Sequence, residues 1–180
     1  SVIIINTQLG PVTIDVPDGS PVRFTAQGNS SVDSILVASD EVTLESGQTI
    51  KTTIIAIPEG ASIDLKGSFG TVEVQTPGCS IKAKDAYIAE LVVAATATDA
   101  QITLEGLTSV NSLVCDAPCS IEGSGRIQAA LVNVNNVNIN QKPGNVTLPK
   151  GVSAKVAGKT VSGGSTGGSG SSGGSSSRTY

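Results

Sequence analysis

The side chains most able to do chemistry are fifteen carboxylates and three cysteines, because histidine is absent from the 180 residues. Cleavage of a polysaccharide would need paired carboxylates, or several acids holding Ca²⁺ beside a basic residue that abstracts a proton. The acids are instead spread along the chain, and Arg23, Arg126 and Arg178 lie far apart in it. We therefore predict no catalytic residues and no cofactor, and we expect that the protein is not an enzyme.

The cysteines Cys79, Cys115 and Cys119 are too few and wrongly spaced for a zinc site, and without histidine no mixed ligand set can form, so we predict no metal site. Cys79 and Cys119 lie in similar segments, Pro77–Ile81 and Ala117–Ile121, 40 residues apart. Cys115 and Cys119 flank a segment of only three residues. A disulfide between these two is one interpretation, and three small buried thiols are the other.

The strands that must position these side chains are indicated by apolar patterns that repeat along the chain. A pair of apolar residues separated by one position returns every 16 to 21 residues: Val22 and Phe24, Val42 and Leu44, Ile63 and Leu65, Ile81 and Ala83, Ile102 and Leu104, Ile121 and Gly123, Val137 and Ile139. A second set alternates with it: Ile35 and Val37, Ile55 and Ile57, Val72 and Val74, Leu91 and Val93, Leu113 and Cys115, Val132 and Val134. A third apolar position lies between them, at Val32, Ile50, Phe69, Ile88, Val110 and Ile127.

Three inward-facing rows predict an all-β fold, a single-stranded right-handed parallel β-helix with three sides and about six coils of ~20 residues. The competing α/β fold would need crossover helices of about ten residues or more, and no gap holds a helical pattern. We place the solenoid at residues 1–161, with an N-terminal edge or first coil at 1–20 and a C-terminal cap at 143–161. Residues 162–180 form a Gly/Ser-rich linker or tail.

Outward positions divide into a charged side and an apolar side. On the charged side, adjacent coils should place Asp64 beside Lys82, Glu45 beside Lys66, and Lys84 beside Glu105. The other side is a half-apolar stripe that reads Leu36, Ala56, Glu73, Val92, Val114 and Asn133, with Ile54 and Leu131 nearby. The chain also opens with an apolar run that would form an exposed strand edge. The predicted assembly contacts are Val2, Ile3, Ile4, Ile5, Leu36, Ile54, Val92, Val114 and Leu131.

Charge and hydropathy limit the classes of partner. The net charge is −4 and the eleven basic residues are scattered, so we expect no nucleic-acid partner. The longest apolar runs are far too short to cross a bilayer, so we expect no membrane span. The exposed edge favours a homo-oligomer or a filament formed through the solenoid ends, and cell-wall polymers are further candidate partners.

Between residues 31 and 161 the chain resembles the β-helical modules of bacterial surface proteins, which lie beside S-layer and cell-wall-anchoring domains in Gram-positive bacteria. The resemblance rests on the spacing of these residues: Ile88, Leu91, Ile102, Leu104, Gly106, Ile127, Val132, Val137, Ile139, Pro143, Val146, Leu148, Gly151, Val156 and Gly158. It implies an extracellular, cell-surface structural role, as a building block or spacer of a surface layer or self-assembling fibre. The alternatives are a carbohydrate-binding or polysaccharide-lyase-like module, and an adhesin or phage-fibre segment.

Overall fold

A computed structural model describes residues 1–164, and within this range the regular structure is entirely β. The strands, in chain order, are β1 (Val2–Ile5), β2 (Gln8–Ile14), β3 (Val22–Gln27), β4 (Ser31–Val37), β5 (Val42–Ile55), β6 (Ser62–Val74), β7 (Ser80–Val93), β8 (Ala100–Glu105), β9 (Ser109–Cys115), β10 (Cys119–Gly123), β11 (Arg126–Val132), β12 (Asn138–Ile139), β13 (Asn145–Thr147), β14 (Ser153–Val156) and β15 (Lys159–Ser162). The predicted tail over 162–180 lies almost wholly outside the described residues.

The strands stack into two parallel ladders. The first ladder runs β1, β3, β5, β6, β7, β8, β10, β12 and β14, and the second runs β2, β4, β5, β6, β7, β9, β11 and β13. The long strands β5, β6 and β7 bend and contribute to both ladders. This arrangement is a parallel β-solenoid, so the predicted fold class is confirmed.

The solenoid has about eight turns spaced by about 19 residues, so the predicted number of about six coils is too low. One added turn is the N-terminal one, where β1 and β2 already pair in register with β3 and β4. The other lies near the C-terminus, where β12 and β13 are only two and three residues long. Val137 and Ile139 belong to the repeated pairs of the sequence, but strands this short leave little alternation with which to define a complete turn.

Buried, mostly apolar residues fill the interior as rows that run from coil to coil, and the row between the two repeated sets of pairs is here called the middle row. The middle row, Val32, Ile50, Phe69, Ile88, Val110 and Ile127, is buried and pairs coil to coil as predicted. The neighbouring row, which contains Ile35, departs from the prediction in two coils. Thr53 occupies the position predicted for Ile55, and Ala130 occupies the position predicted for Val132. A shift of two residues preserves inward and outward parity, so alternation alone could not exclude it.

The end of the chain shows the same kind of shift. Val137 and Ile139 were expected in line with Ile121 and Gly123, but Ile139 pairs with Ile121. Val137 therefore stacks on Cys119, and the polar Asn138 stands beside Ser120. Val137 and Ile139 face inward in the predicted register and in the observed one, because the two differ by two residues, so the interior stays apolar.

Thr53 is a polar residue that lies fully buried in an apolar row, and its hydroxyl has no hydrogen-bond partner. An unpaired buried hydroxyl costs free energy that an apolar group of the same shape does not. We expect Thr53→Val to raise the free energy of unfolding by about 1 kcal/mol. Chemical denaturation measures this change, and the control is Thr52→Val at the half-buried neighbour, which should change stability little. A destabilised Thr53→Val variant would contradict the assignment of Thr53 to the core row.

The two ends of the solenoid differ. At the C-terminal end, β15 runs antiparallel to β14, and its register pairs Ala154 with Val161. The two-residue turn between them, Ala157 and Gly158, has φ values of 48° and 76°, as a type I′ hairpin requires. The hairpin covers the outer edge of β14. At the N-terminal end, β1 pairs with β3 alone, so its other edge is free within the described residues.

Candidate functional site

One outer face of the second ladder carries a continuous row of side chains, here called the stripe. Its members, in register from coil to coil, are Leu36, Ile54, Glu73, Val92, Val114 and Leu131. Strand spacing gives this row a length of about 24 Å. Leu36 and Leu131 are 36% and 37% exposed, and the residues between them are half-buried. The structure thus aligns five of the predicted contact residues, while their role as contacts stays a prediction.

The sequence predicts Ala56 and Asn133 in this row, with Ile54 and Leu131 nearby. The register places Ala56 and Asn133 one row further along, where their backbone amides donate to Val37 and Cys115. The same two-residue shift places Thr53 in the core row. Thr53 and Ile54 are adjacent on β5, so Thr53 faces inward and Ile54 faces outward. The corrected row is more apolar than the predicted one.

Most of the side chains that flank the stripe are small, since eight of the twelve are Ala, Ser or Thr, so few of them project beyond it. The flanking positions are Ser34, Thr52, Thr71, Glu90, Ser112 and Ala129 on one side, and Ala38, Ala56, Gln75, Ala94, Asp116 and Asn133 on the other. Side-chain amides bind two of the acids: Gln75 Nε2 donates to Glu73 Oε1 over 2.9 Å, and Asn133 Nδ2 donates to Asp116 Oδ1 over 2.7 Å. The sequence predicts Glu73 in the stripe, whereas Asp116, two positions after Val114, is not among the predicted members.

Charge distinguishes this face from the rest of the solenoid. Glu73, Glu90 and Asp116 lie on it, and none of the eighteen side chains in its three rows is a lysine or an arginine. A partner that covers the face must therefore bring positive charge or leave carboxylates desolvated without a counter-ion, which is costly. The face is suited to an apolar surface that carries a cationic group opposite Glu73.

The free edge of β1 forms a second candidate contact surface. Val2 and Ile4 pair in register with the buried residues Phe24 and Ala26, so their side chains continue the inward rows. Val2 is nevertheless 51% exposed, because no described strand lies beyond β1, and Ile3 and Ile5, which point to the opposite face, are 59% and 58% exposed. An unpaired apolar strand edge can accept another strand.

The charged side of the first ladder is organised as ion pairs between coils. Glu45 pairs with Arg23 on one side and with Lys66 Nζ, 3.5 Å away, on the other, and Lys82 Nζ lies 3.5 Å from Glu105. The register also places Asp64 beside Lys82, as predicted. Exposed pairs of this kind contribute little stability each. Glu45 and Glu105 are thus held by neighbouring bases rather than by another acid.

Arg23 donates a hydrogen bond to Glu45 and thereby lowers the pKa of that carboxyl below its usual value, with Lys66 contributing less. A carboxyl whose pKa is depressed on folding stabilises the fold above its unfolded-state pKa, and this contribution is lost as pH falls through the folded-state pKa. We expect an NMR titration of Glu45 to give a midpoint below that of glutamate in an unstructured peptide. Arg23→Gln should move the midpoint upward, and an unchanged midpoint would contradict the pairing.

The three cysteines are buried free thiols in the structure. Cys79 and Cys119 occupy equivalent inward positions, with Ala100 between them, so they are two strand spacings, or about 9–10 Å, apart. Burial raises the pKa of Cys79, whose thiol donates to the carbonyl of Thr76 over 3.2 Å. Cys115 and Cys119 stand on either side of one corner. The predicted disulfide between them stays a prediction.

Within residues 1–164, no three Cys, Asp or Glu side chains lie close enough together to hold a metal ion. The same residues include no helix with the length and apolar character needed to cross a membrane.

Comparison with known proteins gives one informative structural similarity. The chain is similar to a segment of the chitinase ChiW of Paenibacillus sp. strain FPU-7, described as bacterial cell-surface-expressed multi-modular enzyme machinery, with 28% sequence identity and a TM-score of 0.78. The similarity covers 95% of this chain and 16% of that one, so the chain spans less than one fifth of the neighbour's length. No protein-family model matches the sequence, and no curated protein matches it.

Proposed function

We propose that this protein is a non-catalytic structural module of a bacterial cell surface, which spaces or builds an extracellular layer or fibre. The observation that carries the proposal is an uninterrupted solenoid of about eight turns with one apolar face. Within the described residues no connection between strands is longer than seven residues, that of 15–21. A rod of this kind offers length and surfaces, whereas an enzyme cleft usually needs longer loops to form its walls.

The similarity to a segment of a cell-surface-expressed, multi-modular protein supports the proposed extracellular setting. The distribution of acids supports the non-catalytic role. Glu45, Glu105 and Asp33 are engaged by basic side chains of adjacent coils, an arrangement that favours solubility and register over acid–base chemistry. Cell-wall polymers remain candidate partners of the exposed faces.

The two contact surfaces suit different partners. Two stripes packed face to face would bury Glu73 of each copy without a counter-ion, so the stripe favours a different surface that supplies a lysine or an arginine. The free edge of β1 carries no charge within Val2–Ile5 and favours pairing with a strand of a second copy. Assembly through the end and lateral attachment through the stripe are therefore separable.

Negative-stain electron microscopy of the purified protein tests assembly. We expect end-joined particles or fibres whose number increases with protein concentration. Isolated rods at the highest attainable concentration would contradict the assembly part of the proposal. A mass measurement in solution separates this outcome from the compact trimer expected of an adhesin or phage-fibre segment.

A second candidate function, carbohydrate binding, is favoured by the chitinase activity of the structural neighbour. The stripe contains no aromatic side chain on which a sugar ring could stack, which argues against it. Co-sedimentation with insoluble chitin decides between the two: the structural proposal predicts that the protein stays in the supernatant. Retention on chitin that is lost in a Val92→Lys variant, and kept in the Leu107→Lys variant of an 89% exposed corner residue, would instead establish the stripe as a glycan-binding surface.

A further inference from the structure

The corner between β9 and β10 brings two thiols together. β9 ends at Cys115 and β10 begins at Cys119, and both side chains point into the solenoid, 0% and 5% exposed. The short connection between them is anchored on both sides, because the amide of Asp116 donates to Val93 and the carbonyl of Pro118 accepts from Asp99. The backbone therefore holds the two cysteines in a fixed relation across three residues.

The two thiols differ in their access to solvent. Cys119 lines a surface depression of about 250 Å³ together with Asp99, Gln101, Asn136 and Asn138, whereas Cys115 lies behind it in the core. A hydrogen bond with the Cys119 side chain, and then burial, raise the pKa of the Cys115 thiol well above its usual value. Cys119 is thus the more accessible of the two residues, and Cys115 is its neighbour across the corner.

We propose that Cys115 and Cys119 form an intramolecular disulfide by exchange with a small organic disulfide that enters the depression. The Cys119 thiolate attacks one sulfur of the reagent, forms a mixed disulfide and releases one thiolate. Cys115 then loses its proton, attacks the Cys119 sulfur and displaces the second thiolate. The protein loses two protons and two electrons, and the reagent gains both and becomes two thiols.

Cys79 provides an internal control, because it is also buried in the solenoid but stands two strand spacings from Cys119. That separation, about 9–10 Å, exceeds the reach of a disulfide. Tryptic cleavage separates the sites, since Cys115 and Cys119 fall in the peptide 85–126 and Cys79 falls in the peptide 67–82. A modification of each site can therefore be observed separately.

The test exposes the folded wild-type protein to oxidised glutathione and measures peptide masses after acid quenching. We expect peptide 85–126 to lose the mass of two hydrogen atoms and peptide 67–82 to keep its mass. In Cys115→Ala the mixed disulfide has no resolving thiol, so glutathione should remain on Cys119. In Cys119→Ala neither remaining thiol should react at a comparable rate. Circular dichroism confirms that each variant is folded.

Two results would overturn the proposal. One is glutathione retained on peptide 85–126 of the wild-type protein, which would show that Cys115 cannot reach Cys119. The other is an unchanged mass of that peptide in folded protein after the reagent has modified the denatured chain completely, which would show that the depression does not admit it. Neither result bears on the proposed structural role, which does not depend on the state of the cysteines.

Discussion

Replacement of Gly67 by alanine is expected to lower the free energy of unfolding by at least about 3 kcal/mol. Gly67 lies at the bend of β6 with φ of +97°, a conformation that L side chains rarely adopt. An added Cβ would also overlap the carbonyl oxygen of Ser46 in the adjacent coil. Ser46 and Gly67 are register partners in a buried ladder, so neither backbone can move without separating the coils. Urea denaturation measures the loss.

Gly60→Ala is the matched control for this change. Gly60 also has a positive φ, +80°, but a Cβ there has no atom within 4 Å. The control should therefore cost about 1 kcal/mol from backbone strain alone. Gly123, with φ of +94° and the Leu104 carbonyl against it, should behave like Gly67. Equal losses at Gly60 and Gly67 would contradict the close approach of adjacent coils at the bend.

The second large effect is expected at the C-terminal hairpin. Val161 of β15 is 3% exposed and pairs with Ala154 of β14, so Val161→Asp places a carboxylate in the apolar end of the solenoid. An unpaired buried charge costs several kcal/mol, and the cheapest relief is detachment of β15. We expect amide protection in β15 to be lost and the free energy of unfolding to fall by about 2 kcal/mol or more. Hydrogen exchange measures the protection residue by residue.

Thr160→Asp is the control, because Thr160 is the exposed neighbour on the same strand. Its carboxylate would remain in solvent beside Lys155, its register partner, and should leave the hairpin closed. Detachment of β15 also uncovers the edge of β14, so Val161→Asp should associate at concentrations where the control does not. Retained protection of β15 in Val161→Asp would contradict the capping role of the hairpin.

The sequence predicted the solenoid well because period-two alternation and a spacing of about 20 residues are both visible in the chain. Phe69 and its neighbours in the middle row were placed correctly. Phe69, for example, stands between Ser68 and Gly70, so no adjacent apolar residue competes with it for the inward position. Thr53 and Ala130 were missed because threonine and alanine do not look like core residues. Only the pairing of Ile35 with Thr53 across coils determines which residues of β5 face inward.

The same reasoning explains what could be predicted of the candidate site. Leu36, Val92 and Val114 were recognised as a stripe, because outward apolar residues on alternating strands are unusual. Ile54 and Leu131 were predicted as contacts beside the stripe, and only the register of the structure places them in it, as partners of Leu36 and Val114. The absence of basic side chains on the face also became visible only after the three rows were aligned.

The central claim is that this protein acts through its surfaces, and sedimentation velocity over a range of concentrations tests it most directly. Ile4 continues an inward row at the free edge of β1 and is half-buried against the core, so Ile4→Lys should block a further strand at the cost of one packed side chain at the end of the solenoid. Leu107→Lys, at an 89% exposed corner, is the control. We predict that the sedimentation coefficient rises with concentration for the wild type and the control and stays constant for Ile4→Lys. A monomeric wild type, or an Ile4→Lys variant that associates equally well, would contradict the account.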